Sequence, residues 1–185
     1  MANWKNTTHE FGAVAKFLHW VMGLTIIGML AFGFIMTSMP PGPVKWNFYY
    51  MIHKSIGVTL LVLLLVRLFW RWINPTPMLT VTGFIAIIAR LSVYVLYLAM
   101  LTMTLSGYIM SEAANHPIQF FNLFTIPSLV PLNRDLAMLA VEIHYYAAFV
   151  TVGIVCAHIL AALYHHFVLR DSVLTRMWMK RKRFG

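Results

Sequence analysis

Two histidines fourteen positions apart inside one long apolar run, Leu136–Leu169, limit what this chain can become more than any other feature. At about 100° per residue, fourteen helical steps return to within about 40° of the starting direction, so His144 and His158 face the same way. At a rise of about 1.5 Å per residue they stand roughly 21 Å apart along the axis. A bilayer's hydrocarbon core is about 30 Å thick, so a crossing helix would carry one imidazole towards each face. An ionisable group inside a membrane span is costly and is by default functional. Two of them stacked on one helix face point to two cofactors, one above the other.

The rest of the chain has the solvent preference this requires. Of its 185 residues 61% are hydrophobic and only 10% are charged, against about 25% charged in a soluble domain, so an integral membrane protein is expected, built as one domain over 1–185. The net charge of +9 does not indicate nucleic-acid binding, because the basic residues flank apolar runs and crowd the tail, which is a topology signal. Cys156 is the single cysteine, so no internal disulfide forms, and the absence of C-x-x-C-H excludes covalent c-type haem.

Four spans follow from the hydropathy, at about 17–36, 50–70, 84–110 and 136–169, each with the roughly 20 apolar residues a crossing helix needs. The fold class is therefore all-α, an integral membrane four-helix transmembrane bundle. Met39-Pro40-Pro41-Gly42-Pro43 breaks the chain after the first span and Asn74-Pro75-Thr76-Pro77 after the second. The first span is too long for a signal peptide, lacks a small-x-small cleavage site and carries a histidine at its start, so it is retained. Lys5, Lys16, Arg67, Arg71, Arg90, Arg170, Arg176, Lys180, Arg181, Lys182 and Arg183 would share one side, and only Lys45, Lys54 and Arg134 the other. Lysine and arginine excess marks the cytoplasmic side, so both termini are expected inside. The connection from Ser111 to Arg134 is long and apolar; Phe120, Phe121, Leu123 and Phe124 are expected in the outer interface, covering the bundle end.

Depth sorts the histidines. Measured from each span's midpoint, His19 lies about 12 Å inside and His158 roughly 8 Å inside, while His53 lies about 10 Å outside and His144 roughly 13 Å outside. His19 therefore pairs with His158 and His53 with His144; the crossed pairing would leave about 20 Å of depth between partners. A bare transition metal usually takes four or more ligands, and the only acid near the spans is Glu142. Two imidazoles and no third protein ligand match the axial positions of a haem iron instead. A small residue follows each of these histidines by four positions, namely Gly23, Gly57, Ala148 and Ala162, leaving room for a macrocycle against the helix. A satisfied interhelical hydrogen bonder is the plain alternative for any one of them.

His165 and His166 are expected near the cytoplasmic surface, with His9 and His116 as ordinary polar residues. Arg67 stands fourteen positions after His53, at the level of the inner pair, and is the favoured propionate partner, with Arg71, Lys16 and Arg90 behind it. Lys54, Lys45 and Arg134 are the candidates at the outer pair. Snorkelling to the headgroups is the competing role for all of these cations, and the better one for Arg71 and Lys16.

Phe17-Leu18-His19-Trp20, His53-Lys54-Ser55-Ile56-Gly57, Arg67 with Asn74-Pro75-Thr76-Pro77, and His144 with His158 and His165-His166-Phe167 resemble the bacterial cytochrome b561 family over nearly the whole chain. The resemblance implies a four-helix dihaem b-type cytochrome with ligands His19, His53, His144 and His158. It also implies electron exchange with membrane quinone, and some members are superoxide oxidases that use ubiquinone as acceptor. Related haem subunits anchor nickel hydrogenases and formate dehydrogenases. Three readings result. The first is a respiratory electron-transport oxidoreductase with two non-covalent b haems, acting with quinone and, in its sharper form, with superoxide. The second is a haem-containing anchor that docks a redox partner protein in a hydrogenase-like complex. The third is a haem-free transporter whose histidines line a proton or metal path.

Overall fold

The computed structural model describes residues 3–79 and 81–178; Lys180, Arg181, Lys182 and Arg183 of the predicted basic tail lie outside the described residues. Four long helices run α1 Ala13–Ser38, α2 Tyr50–Ile73, α3 Gly83–Ala113 and α4 Arg134–Phe167, all long and apolar enough to cross a membrane. The first three extend beyond the predicted spans because backbone hydrogen bonding continues past the last apolar residue. The fourth ends two residues early, at Phe167, just before a corner at Arg170, whose φ of 52° is left-handed.

The breaks fall where backbone sterics demand. Met39, before Pro40, and Asn74, before Pro75, are both extended, as a residue preceding proline must be. After the first break a π-helical turn, Lys45–Tyr49, runs straight into α2. Neighbours in sequence are neighbours in space: α1 packs on α2, α2 on α3, and α3 most extensively on α4. The segment before α1 and the segment after α4 meet at one end of the bundle, here the terminal end; the 39–49 and 114–133 connections lie at the other, the loop end.

The bundle has few fully buried large side chains, and most of its Leu, Ile, Val and Phe residues are exposed. Lipid is as apolar as a leucine, so close packing of small residues replaces the hydrophobic drive between helices. Ala99, Ser106, Ala113, Ala137 and Ala140 are buried on α3 and α4, where the two backbones approach most closely.

The long loop is more ordered than its composition promised. Ser111 and Glu112 belong to the last turn of α3, and the segment after them forms a two-stranded hairpin, β1 Gln119–Phe120 with β2 Phe124–Thr125. Phe121 and Asn122 turn it with φ of 48° and 59°, a left-handed pair that a phenylalanine rarely adopts. The hydroxyl of fully buried Ser55 on α2 holds that turn, accepting from the Phe121 amide at 2.9 Å, while its one proton is shared between Met51 O at 2.7 Å and Gln119 O at 3.2 Å. Phe121, Leu123 and Phe124 are exposed on the hairpin and Phe120 is half-buried.

Helix α4 begins at a side-chain cap: Asn133 Oδ1 accepts from the Leu136 amide at 2.9 Å, and the Asn133 amide donates to Ala113 O at the end of α3. Replacing an Asn cap by Ala costs about 1 kcal/mol. Asn133→Ala is therefore expected to lower the thermal midpoint in detergent while leaving the far-ultraviolet circular dichroism of the folded protein unchanged.

Candidate haem-binding site

α1 carries His19 near the terminal end and α2 carries His53 near the loop end. α4 carries both of their counterparts. The ring centres of His19 and His158 are 6.2 Å apart, and those of His53 and His144 are 6.3 Å apart. The ring planes cross at 66° and 80°. No hydrogen bond joins the two rings of either pair among the described residues. The backbone of α4 makes no extensive close approach to α1 or α2, so each imidazole pair bridges a gap between helices.

This spacing suits iron. A metal gripped by two opposed imidazoles, at metal–nitrogen bonds of about 2 Å, holds their ring centres roughly 6 Å apart. One nitrogen of each ring must then face the partner while the other is held from behind. His144 meets that requirement: its Nδ1 lies 3.0 Å from Met103 O and 3.1 Å from Ser106 Oγ, both on α3. Ser106 donates its own proton to Thr102 O, so Nδ1–H of His144 is the donor to both oxygens and Nε2 is left bare. His53 Nδ1 is buried with no hydrogen-bond partner, so this ring, unlike His144, is not held from behind by a hydrogen bond among the described residues. Among the described residues no cluster of three or more His, Cys, Asp or Glu could hold a bare metal ion, which leaves the axial arrangement as the chemistry the donor set fits.

Arg67 reaches the terminal-end pair, placing Nη2 3.1 Å from His19 Nδ1 and donating from Nε to the Tyr97 hydroxyl at 3.1 Å. A guanidinium has only donors, so Nδ1 of His19 accepts in this arrangement. Ligation of iron through Nε2 puts the proton on Nδ1, and Arg67 must then find another acceptor.

Glycines shape both sites. A Cβ added at Gly23 or Gly57, one turn after His19 and His53, would meet no atom within 4 Å. Two further glycines escaped the sequence reading. A Cβ at Gly107 on α3 would come within 3.0 Å of His144 Cε1, and one at Gly33 on α1 within 3.5 Å of His53 Cε1. They sit on neighbouring helices, so spacing counted along a histidine's own helix could not find them.

The remaining candidates separate. Lys54 donates to His116 O at 3.1 Å and lies within Coulombic range of Glu112 on α3. That carboxylate is buried, accepts from the Ile118 amide, and was missed in sequence because it was read as part of a loop. Glu142 is therefore not the only acid at this depth. Lys45 is buried, its ammonium on Met39 O at 2.7 Å and Thr37 O at 3.5 Å. Arg134 and Glu142 instead line a separate loop-end cavity between α3 and α4. The three loop-end cations thus do not form one solvent-facing patch. His165 Nδ1 donates to Asp171 just beyond α4. Burial alone would raise the Asp171 carboxyl, but the hydrogen bonds from His165 and the Val173 amide outweigh it and hold it below the usual carboxylate range.

With this geometry in place the comparisons have a definite meaning. The family model for prokaryotic cytochrome b561 matches residues 10–180. The chain belongs to that family. It is 30% identical over 174 residues to Cytochrome b561 homolog 2 of Escherichia coli (strain K12), covering 93% of each chain. It is 29% identical over 171 residues to the Probable superoxide oxidase CybB of Yersinia pestis, covering 89% of this chain and 93% of the relative. Cytochrome b561 homolog 1 of Escherichia coli (strain K12) is 25% identical over 176 residues. Membership makes this a b-type haem protein of membrane electron transfer, and four helices able to span a membrane agree with that.

The Gly107 contact gives a direct check. Gly107→Val puts branched carbon where the His144 ring now lies, so it is expected to lower haem content per chain, measured by pyridine haemochrome. Gly28→Val, at a position where a Cβ meets nothing within 4 Å, should leave haem content unchanged.

Proposed function

We propose that this family member is a dihaem b-type cytochrome of a bacterial inner membrane, with both termini cytoplasmic, that moves single electrons between the outer face and membrane quinone. The carrying observation is that two imidazole pairs, with ring centres 6.2 Å and 6.3 Å apart, occur at two heights along one helix face. His19 and His158 would hold one haem iron and His53 and His144 the other. When bound, each haem would supply reversible one-electron iron chemistry. The basic residues support the orientation: Lys5, Lys16, Arg67, Arg71, Arg90, Arg170 and Arg176 belong to the terminal end, against Lys45, Lys54 and Arg134 at the other.

The protein's own residues would do the rest. The Met103 carbonyl and Ser106 orient His144 and strengthen it as a ligand. Arg67 would exchange His19 Nδ1 for a haem propionate, because a guanidinium binds a carboxylate bidentately and keeps its charge when partly buried. Lys54 would do the same at the outer pair, as a point charge.

Superoxide is the electron donor we favour, supported by the relative named Probable superoxide oxidase CybB. Two superoxide anions each give up one electron and leave as dioxygen; one quinone takes those two electrons and two protons and leaves as quinol. Lys54 is the loop-end cation beside a proposed ligand, and its positive charge attracts a small anion. Superoxide-dependent quinone reduction is expected to slow as ionic strength rises, and Lys54→Gln to slow it several-fold at low salt only. A rate indifferent to both would remove superoxide from the proposal.

Ligation is tested by haem quantification and reduced-minus-oxidised spectra. Wild type is expected to hold two haems. His19→Ala and His158→Ala should lose the same one, and His53→Ala and His144→Ala the other. Full haem content in any of the four would overturn the assignment.

A further inference from the structure

A cavity of about 390 Å³ lies at the terminal end, apart from both histidine pairs, and no step of the proposed function uses it. It is built where three separate pieces of chain meet: the segment before α1, the residues after the α2 break, and the segment after α4. Its polar lining comes from Thr8, Lys16, Ser172, Thr175 and Arg176, with Glu10 beside them.

One of the charges in it is uncommitted. Lys16 is half-buried one turn into α1 and has no hydrogen bond or ion pair among the described residues. Arg176 spends its terminal nitrogens on two backbone carbonyls, Met78 O at 2.8 Å and His9 O at 2.7 Å, which close the cavity. Its Nε is buried and has no partner. The Thr8 and Ser172 hydroxyls likewise make no hydrogen bond among the described residues, whereas Glu10 already has a partner. Two fixed cations against one carboxylate leave the lining one positive charge in excess, before His9 is counted.

The surroundings say what kind of anion fits. Met78 and Leu79 line the same cavity and are exposed, and Phe17, beside Lys16, is 58% exposed. Apolar side chains next to a cationic, hydroxyl-lined hollow at the end of membrane-spanning helices match a molecule with a phosphate head and acyl tails. Basic pockets between transmembrane helices at the headgroup level bind anionic lipid heads in this way. We propose that this cavity is a binding site for the phosphodiester headgroup of an anionic phospholipid, with Lys16 and Arg176 as the charged contacts and the Thr8 and Ser172 hydroxyls as additional donors. Because the seat joins the N-terminal segment, the 74–82 connection and the C-terminal segment, a bound lipid would fasten all three.

The test uses the purified haem-loaded full chain in detergent, with native mass spectrometry to count lipid adducts. Phosphatidylglycerol is expected to add as one retained lipid at concentrations where phosphatidylcholine of the same acyl chains does not. Lys16→Gln is the informative variant because Lys16 has no internal partner to lose. It should weaken phosphatidylglycerol retention about five-fold with the far-ultraviolet circular dichroism unchanged. Arg90→Gln, an exposed cation on α3 outside the cavity, should leave retention as in wild type. Equal retention of phosphatidylcholine, an unaffected Lys16→Gln variant, or an equal loss in Arg90→Gln would overturn the site. Displacement of the lipid by an equimolar amount of inorganic phosphate would overturn the lipid as its occupant.

Discussion

Four imidazoles have to be satisfied in a solvent that offers them nothing. Hydrocarbon supplies no hydrogen bonds, so every polar atom within it needs a partner from the protein or from a bound group. The bundle sets the rings in facing pairs and backs two of them, His144 and His19, from a neighbouring helix. His144 is the fullest case: an α3 carbonyl and hydroxyl take its rear proton, and Gly107 gives the ring room to lie against that helix. His19 is backed by Arg67, and Arg67 in turn by Tyr97.

That demand explains the division of labour among the helices. α3 carries none of the proposed ligands, yet it packs most closely on the helix that carries two of them. Its buried face is small and polar, with Ala99, Ser106 and Gly107, so it serves as a rigid backing against which α4 is positioned. α1 and α2 stand off from α4; the histidine pairs and an edge-on Phe34–Phe149 contact at 5.2 Å reach across to it. The close α3–α4 pair thus fixes the position of α4, while α1 and α2 approach it less closely.

The two ends of the bundle are finished differently. At the loop end the hairpin is sewn down beside His53: Lys54 holds His116 O, Ser55 holds the turn at Phe121, and buried Glu112 holds the Ile118 amide. These contacts hold the hairpin and the segment before it against α2 and α3. At the terminal end the closure comes from distant segments, through Arg176 to His9 and Met78 and through Trp20 Nε1 to Met177 O at 2.9 Å. The chain folds over itself closely there; a Cβ at Gly12 would fall 2.4 Å from Trp4 O.

Much of this was legible in the residues alone. Apolar run length and the two proline breaks determine four spans, and the constant rise of a helix converts residue number into depth, which put His19 level with His158 and His53 level with His144. Depth is a one-dimensional property, and a sequence encodes it directly. What only the tertiary structure decided is everything lateral: which helix backs which ring, that Gly107 and Gly33 lie against imidazoles on other helices, that Glu112 is buried, and that Lys45 turns inward to Met39 O. Rotation of one helix about another, and the course of a loop, are set by contacts between residues far apart in the chain, and no local periodicity records them.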